Sequence, residues 1–320
     1  MRGRSMFKPT VALPGVALVT VVAAAALAPA ASASVSTSAD AAQTATASTA
    51  DSYYAATLVG RNEVPVKGGP KVGDKNGDAY AVIRIHGNEI SYAVRWDGIA
   101  TPTAFHIHSG KAGKNGDVKV PFFMEALPGS AKALAGTVKA DGGTVSGIKR
   151  NPSNWYFNVH TGEFPGGAVR AQLRKIRPIQ LAAILAQDTH ASFHALANGK
   201  NEVPSPGKKV GDKNGSAEWI VGIRGSKLYY ATIWDRIAAP TNGHIHSGKK
   251  GVNGPVAVDL FADSNGLPKG VTGIAGSASV KSSVAGGIKK NPKNWYTNLH
   301  TSEFPDGAVR GQLYSSHAGW

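Results

Sequence analysis

The 320-residue chain contains ten histidines and no cysteine. Four of the ten stand in two matching pairs. One is Phe105-His106-Ile107-His108-Ser109-Gly110, the other Gly243-His244-Ile245-His246-Ser247-Gly248. In an extended strand, residues i and i+2 leave the same face about 6–7 Å apart. His106 and His108 therefore share one face and Phe105 and Ile107 the other, and His244 and His246 repeat this around Ile245. Two imidazoles so placed can reach one transition-metal ion, because each metal–nitrogen bond is about 2 Å long. Three protein ligands are the usual minimum for catalytic zinc or a copper centre. His160 in NVHTGEFPGG, repeated as His300 in NLHTSEFPDG, is the third candidate in each half. The same residues also suit a scaffold. Thr161 and Glu163 are ready hydrogen-bond partners for His160, and duplication copies scaffold as faithfully as it copies a site. The residues alone leave both readings open.

The elements that must position these histidines are strands. Ile83 and Ile85 alternate with Arg84 and His86, Gly87-Asn88 turns the chain, and Ile90, Tyr92, Val94 and Trp96 then alternate with Ser91, Ala93 and Arg95. This is a β-hairpin with one apolar face. The second half does the same around Gly225-Ser226, where Tyr229, Ala231 and Ile233 alternate with Tyr230, Thr232 and Trp234. Further short strands are expected at 136–140, 156–160 and 168–173, and no helical stripe interrupts them. Many short strands with Gly and Pro turns predict an all-β fold of β-sandwiches, that is, flattened barrels, and the resemblances that the histidine motifs carry make them two tandem immunoglobulin-like or superoxide-dismutase-like domains.

The chain repeats itself. GRNEVP (Gly60 to Pro65) returns as GKNEVP (Gly199 to Pro204), and KVGDKNG at Lys71 returns at Lys209. GIKRNPSNWYFNVHTGEFPGGAVRAQL (Gly147 to Leu173) returns as GIKKNPKNWYTNLHTSEFPDGAVRGQL (Gly287 to Leu313). A period near 140 residues is too long for a solenoid unit and suits two copies of a whole domain. Arg2, Arg4 and Lys8, the apolar run Val11 to Leu27 and Ala31-Ser32-Ala33 spell a secretory signal peptide. The expected organisation is a signal peptide at 1–33, an Ala/Ser/Thr tether at 34–51, domains at 52–174 and 192–320, and a linker at 175–191 that includes a short helix. No other apolar run is long enough to span a bilayer as a helix. The mature protein is thus expected outside the cell with no transmembrane segment. Its cores must hold without disulfides. The formal charge is +15, and removal of the three basic residues before Ala33 leaves +12. That excess suits an anionic cell-surface polymer or protein as partner. Nucleic acid is not expected, because no recognition motif is present.

HIHSGKAGKNGDV, followed by WYFNVHTGEFPGGAVRAQL, resembles the CHRD (chordin-type) domain, across Tyr53 to Arg174 and again Ser192 to Tyr314. The resemblance implies a secreted protein with an immunoglobulin-like β-barrel fold and no assigned enzymatic role. On it, the chain is expected to be an extracellular binding module with an unidentified ligand. FHIH followed by a Gly-rich loop is also similar to the copper-ligand strand of Cu/Zn superoxide dismutase. The later G-A-V-R is similar to the segment that places that enzyme's anion-guiding arginine. This second likeness implies copper ligands at His106, His108 and His160 with Arg170 steering an anion, and likewise His244, His246, His300 and Arg310. The bridging histidine, the zinc-ligand loop and the disulfide of that enzyme have no counterpart here, so the likeness implies a copper site rather than dismutase activity.

Other signals carry less chemistry. Asp74-Lys75-Asn76-Gly77-Asp78 resembles the start of a calcium loop, but its twelfth position is Ile85 rather than Glu, and Ser216 replaces Asp78 in the second copy. A hairpin turn at Asn-Gly explains both copies. Lys111, Lys114, Lys149 and Arg150, and their counterparts Lys249, Lys250, Lys289 and Lys290, would form a basic rim if their loops cluster, and otherwise a solvated surface. Trp155 and Trp295 are expected in the core rather than on a sugar-stacking platform. No Ser-His-Asp elbow, paired-carboxylate motif, phosphate loop or HExxH is present.

Overall fold

A computed structural model of the chain describes residues 50–316. The expected signal peptide and all but the end of the tether lie outside them. The first copy contains β1 (Ser52–Val59), β2 (Asp78–His86), β3 (Glu89–Asp97), β4 (Pro102–Ser109), β5 (Val118–Phe123), β6 (Ala131–Lys139), helix α1 (Gly142–Arg150), β7 (Trp155–Thr161), β8 (Val169–Gln172) and β9 (Arg174–Ile176). Helix α2 (Ala182–Ala186) lies in the linker. The second copy contains β10 (Phe193–Asn198), β11 (Ser216–Arg224), β12 (Lys227–Asp235), β13 (Pro240–Ser247), β14 (Val256–Ala262), β15 (Val271–Ser279), α3 (Ser282–Lys290), β16 (Trp295–Thr301), β17 (Val309–Gln312) and β18 (Tyr314–Ser315).

All strand ladders are antiparallel. In the first copy they run β5–β4–β7–β8, then through β1 to β2, β3 and β6. The sheet folds over on itself without a ladder between β5 and β6, which gives a flattened β-sandwich. The second copy repeats this order. Period-two alternation supplies the apolar interior: Ile83, Ile85, Ile90, Tyr92, Val94, Phe105, Ile107, Phe157, Val159 and Val169 point inward and are buried.

Two features depart from the sequence reading. Residues 142–150 and 282–290 are helices, although each contains glycines and so has low intrinsic helix propensity. What holds α1 is tertiary: Val145 and Ile148 are buried in the core, and the Asp141 carboxylate accepts a hydrogen bond from Thr144 N at 2.8 Å at the helix start. The turn at Asn76-Gly77 is also not a hairpin turn. It ends the long connection from β1 to β2, where Asp74 Oδ1 accepts from Asn76 N at 2.9 Å.

The two copies are not independent either. β6 pairs with its own counterpart β15, with Leu134 opposite Ile274 and Ala133 opposite Ala275, so one sheet runs through both halves. Thr137 N donates to Gly270 O at 2.9 Å and Ser277 N to Ser130 O at 3.2 Å across the junction. The outer face here is built of small residues: Ala55, Val82, Ala93, Ala133, Ala135, Ala231 and Ala275. Ile184 and Leu185 of α2 pack on it, and Asp188 just beyond forms an ion pair with the buried Arg95. Each copy thus leaves an edge strand and an alanine face that the other copy and the linker cover. Gly276 is required by this contact, since a β-carbon there would lie 2.2 Å from Ser130 O and 2.8 Å from the Tyr230 hydroxyl. Gly276→Val should lower the unfolding free energy by about 2 kcal/mol through overpacking. Urea titration of the variant against the parent checks it, and an unchanged midpoint would mean the junction is not formed.

Candidate metal centre

The outward face of β4–β7–β8 carries a continuous layer of polar side chains. Register sets its order. His106 faces Asn158 and His108 faces Tyr156 across β4–β7, while Asn158 faces Arg170 and Tyr156 faces Gln172 across β7–β8. His160, two residues beyond Asn158, shares this face. The second copy places His244, His246, Tyr296, Asn298, His300, Arg310 and Gln312 in the same pattern. Ile107 and Ile245 are buried on the opposite face, as strand parity predicts.

This layer is covered by the loops that carry the repeated motifs. From GRNEVP, Asn62 Nδ2 donates to Arg170 O, and Glu63 accepts from Asn158 Nδ2. From GKNGDV, Asn115 Nδ2 donates to Val64 O. The KVGD segment binds the turn before β8 through Gly73 N to Gly167 O and Asp74 N to Ala168 O. Gly167 has φ +132°, and a β-carbon there would strike the Glu63 carboxylate at 2.7 Å, so both backbone geometry and space require glycine. The repeated GRNEVP and KVGD segments, with the loop after β4, are therefore the lid over one polar face.

Under that lid the three histidines converge. Ring centroids are 5.5 Å apart for His106–His108, 5.0 Å for His106–His160 and 6.3 Å for His108–His160. The second cluster has 5.5, 4.8 and 6.4 Å for the matching pairs. In each cluster, one nitrogen from every ring lies within 4.8 Å of the other two. Backbone carbonyls fix two of the three tautomers. His108 Nδ1 donates to Gly116 O and His160 Nδ1 to Pro165 O, both at 2.9 Å. A carbonyl only accepts, so the protons are on Nδ1 and the lone pairs on Nε2. The nitrogens left without a partner are His106 Nδ1, His108 Nε2 and His160 Nε2. In the second copy His246 Nδ1 donates to Gly254 O and His300 Nδ1 to Pro305 O, which leaves His244 Nδ1 to donate to His300 Nε2 at 3.0 Å. Each buried acceptor without a partner costs about 1–3 kcal/mol. Lone pairs facing one another can be satisfied together by a cation.

Burial also sets the protonation state. Burial, then the neighbours His160 and His108, pushes the His106 imidazole down to about 3, and His244 is lowered to about 3 in the same way. Burial likewise lowers His108, His160, His246 and His300. The clusters are therefore neutral near pH 7, the state in which imidazole ligates.

Arg170 and Arg310 are placed otherwise than expected for anion steering. Each is 1 % exposed. Arg170 donates to Asn115 Oδ1, Lys111 O and Lys114 O at 2.9, 3.2 and 2.7 Å, and Arg310 to Asn253 Oδ1, Lys249 O and Val252 O. The guanidinium lies 3.3 Å over the Tyr156 ring, which in turn stacks on His108 at 4.8 Å. It clasps the loop after β4 and backs the site rather than facing solvent. Glu63 and Glu202 sit beside it, and burial pushes their carboxyls up to about 7 against the pull of Arg170 and Arg310. Alternation from His160 could have revealed Asn158 and Tyr156. Glu63 gave only the signal of its repeated motif. Lys111 and Arg150 line one cleft of about 600 Å³ with Ser109, Gly110, Asn151, Asn154 and a half-buried Trp155.

An all-β sandwich, duplicated in tandem, with a histidine triplet under the same lid in each copy defines the class of protein. The family model of the CHRD domain matches residues 54–173 and 193–313, so the chain belongs to the CHRD domain family. No curated protein and no solved structure matches it. No helix among the described residues is long and apolar enough to cross a membrane.

The shifted groups predict a pH profile for the metal-free protein. Unfolded imidazoles take up protons near pH 6.5, whereas the six buried ones resist to lower pH, so stability is lost as pH falls below about 6.5. The two glutamates act oppositely. Their stabilisation is complete below the ordinary value of 4.5 and is lost as pH rises through about 7. Glu63→Gln, which mimics the protonated acid, should therefore be more stable than the parent at pH 8, and the difference should close near pH 4. Urea midpoints of both proteins at the two pH values measure this.

Proposed function

We propose that the protein binds one transition-metal ion in each CHRD domain, through His106, His108 and His160 in the first and His244, His246 and His300 in the second. The observation that carries this reading is the convergence of one nitrogen from each of three buried rings in both copies, with two of the three tautomers fixed by backbone carbonyls. Such outer contacts orient ligating histidines and raise their basicity. Three imidazoles with a further position open suit copper or zinc, and among divalent ions copper binds this donor type most tightly. The reading is a metal-binding one, and no reaction is assigned. Arg170 and Arg310 contribute by holding the loops that supply Gly116 O and Gly254 O.

A second reading, an extracellular binding module, is favoured by membership of the CHRD family, the leader-like first 33 residues and the basic cleft at Lys111 and Arg150. An anionic polymer or protein surface is the partner that this charge suits. The readings are compatible, since the metal clusters and the cleft use different residues.

Copper titration of the secreted chain should give two ions per chain. His106→Ala and His244→Ala should each remove one, and the double variant both. Unchanged stoichiometry in the double variant would reject the reading. Bound metal should also raise the unfolding midpoint, because it binds the folded state selectively.

A further inference from the structure

The two clusters share their ligands but differ in what stands behind His106 and His244. His106 Nε2 faces Met124 Sδ at 2.6 Å. His244 Nε2 faces Asp259 Oδ1 at 3.5 Å. The register is the same in both copies, and the residues at equivalent places differ. Asp259 lies opposite His244 on β14, whereas the equivalent place on β5, opposite His106, is Pro121. Met124 in turn corresponds to Ala262. The first half has Asp117 instead, which acts on His108 only through space and is replaced by Pro255 in the second; the second also has Asp306, which acts on His300 through space and is ion-paired with Lys208 at 2.8 Å.

Building on the metal-binding reading, we infer that Asp259 makes the second cluster the higher-affinity site and that the thioether of Met124 leaves the first one weaker. In the metal-free second copy, His244 carries its proton on Nδ1, where it donates to His300 Nε2. A metal taking the Nδ1 lone pair moves that proton to Nε2. There the Asp259 carboxylate accepts it, completing a carboxylate–histidine–metal relay that increases ligand basicity. In the first copy the same proton would face a thioether, which is a weak acceptor. Outer-shell carboxylates of this kind change metal affinity about 10- to 100-fold. Asp259 is 84 % exposed at its side chain, and solvent screening places the expected effect at the lower end, about tenfold.

The test is zinc binding by chelator competition near pH 7.5, with zinc chosen because it has no redox chemistry. His106→Ala retains only the second site and His244→Ala only the first. The former should bind about tenfold more tightly. Adding Asp259→Asn to His106→Ala should bring its Kd to that of His244→Ala, while Asp117→Asn in the His244→Ala chain should leave Kd within about twofold. In the otherwise unaltered chain, Asp259→Asn should merge two distinct stepwise constants into one, a result that needs no ligand variant to fold. Equal affinities of the two single-site chains would overturn the inference, as would an equal loss from Asp117→Asn, which would show that charge alone is responsible. Absence of zinc uptake by any chain would instead reject the metal-binding reading itself.

Discussion

The buried guanidinium of Arg170, and its twin Arg310, is the constraint on which the rest of each copy depends. A cation removed from water must have its donors satisfied, and leaving one unpaired costs several kcal/mol. Here the partners are Asn115 and the carbonyls of Lys111 and Lys114, so the loop after β4 has to close over the sheet. Closure brings Gly116 O to His108 Nδ1 and lays Tyr156 between the cation and the imidazole. The histidine's tautomer, its burial and its depressed proton affinity therefore follow from where an arginine on the next strand but one finds its acceptors. The arginine's charge also contributes directly to the lowering of His108.

The polar layer is costly in folding terms. His106 Nδ1, His108 Nε2, His160 Nε2, Glu63 Oε1 and Asn158 Oδ1 are all buried without partners, close together on one face. Native interiors hold few such atoms, and those that persist mark strain or function. The apolar face of the same strands offsets them, with Phe105, Ile107, Phe157 and Val159 essentially inaccessible. One sheet thus carries a conventional core on one side and a chemically poised face on the other.

Duplication has been absorbed rather than merely tolerated. An exposed edge strand beside an alanine-rich face would be an aggregation hazard in a lone copy. Pairing β6 with β15 consumes both equivalent edges at once, and the linker helix covers the alanines. The linker is consequently part of the structure, tied down by the Asp188–Arg95 ion pair.

The sequence by itself determined the fold class, the tandem repeat, the strand that bears each His-x-His pair and the face on which the histidines lie. All of these follow from local periodicity, which a strand's two-residue repeat makes readable without knowledge of its neighbours. Only the tertiary structure decided that His160 reaches the pair, that Arg170 is a buried clasp, that α1 and α3 are helices and that β6 meets β15. Those facts depend on strand order and register between segments some 50 residues or more apart, or on burial overriding weak helix propensity. Strand pairing also set Met124 behind one cluster and Asp259 behind the other: β5 and β14 pair in the same register, but the residue opposite the histidine is Pro121 in one and Asp259 in the other.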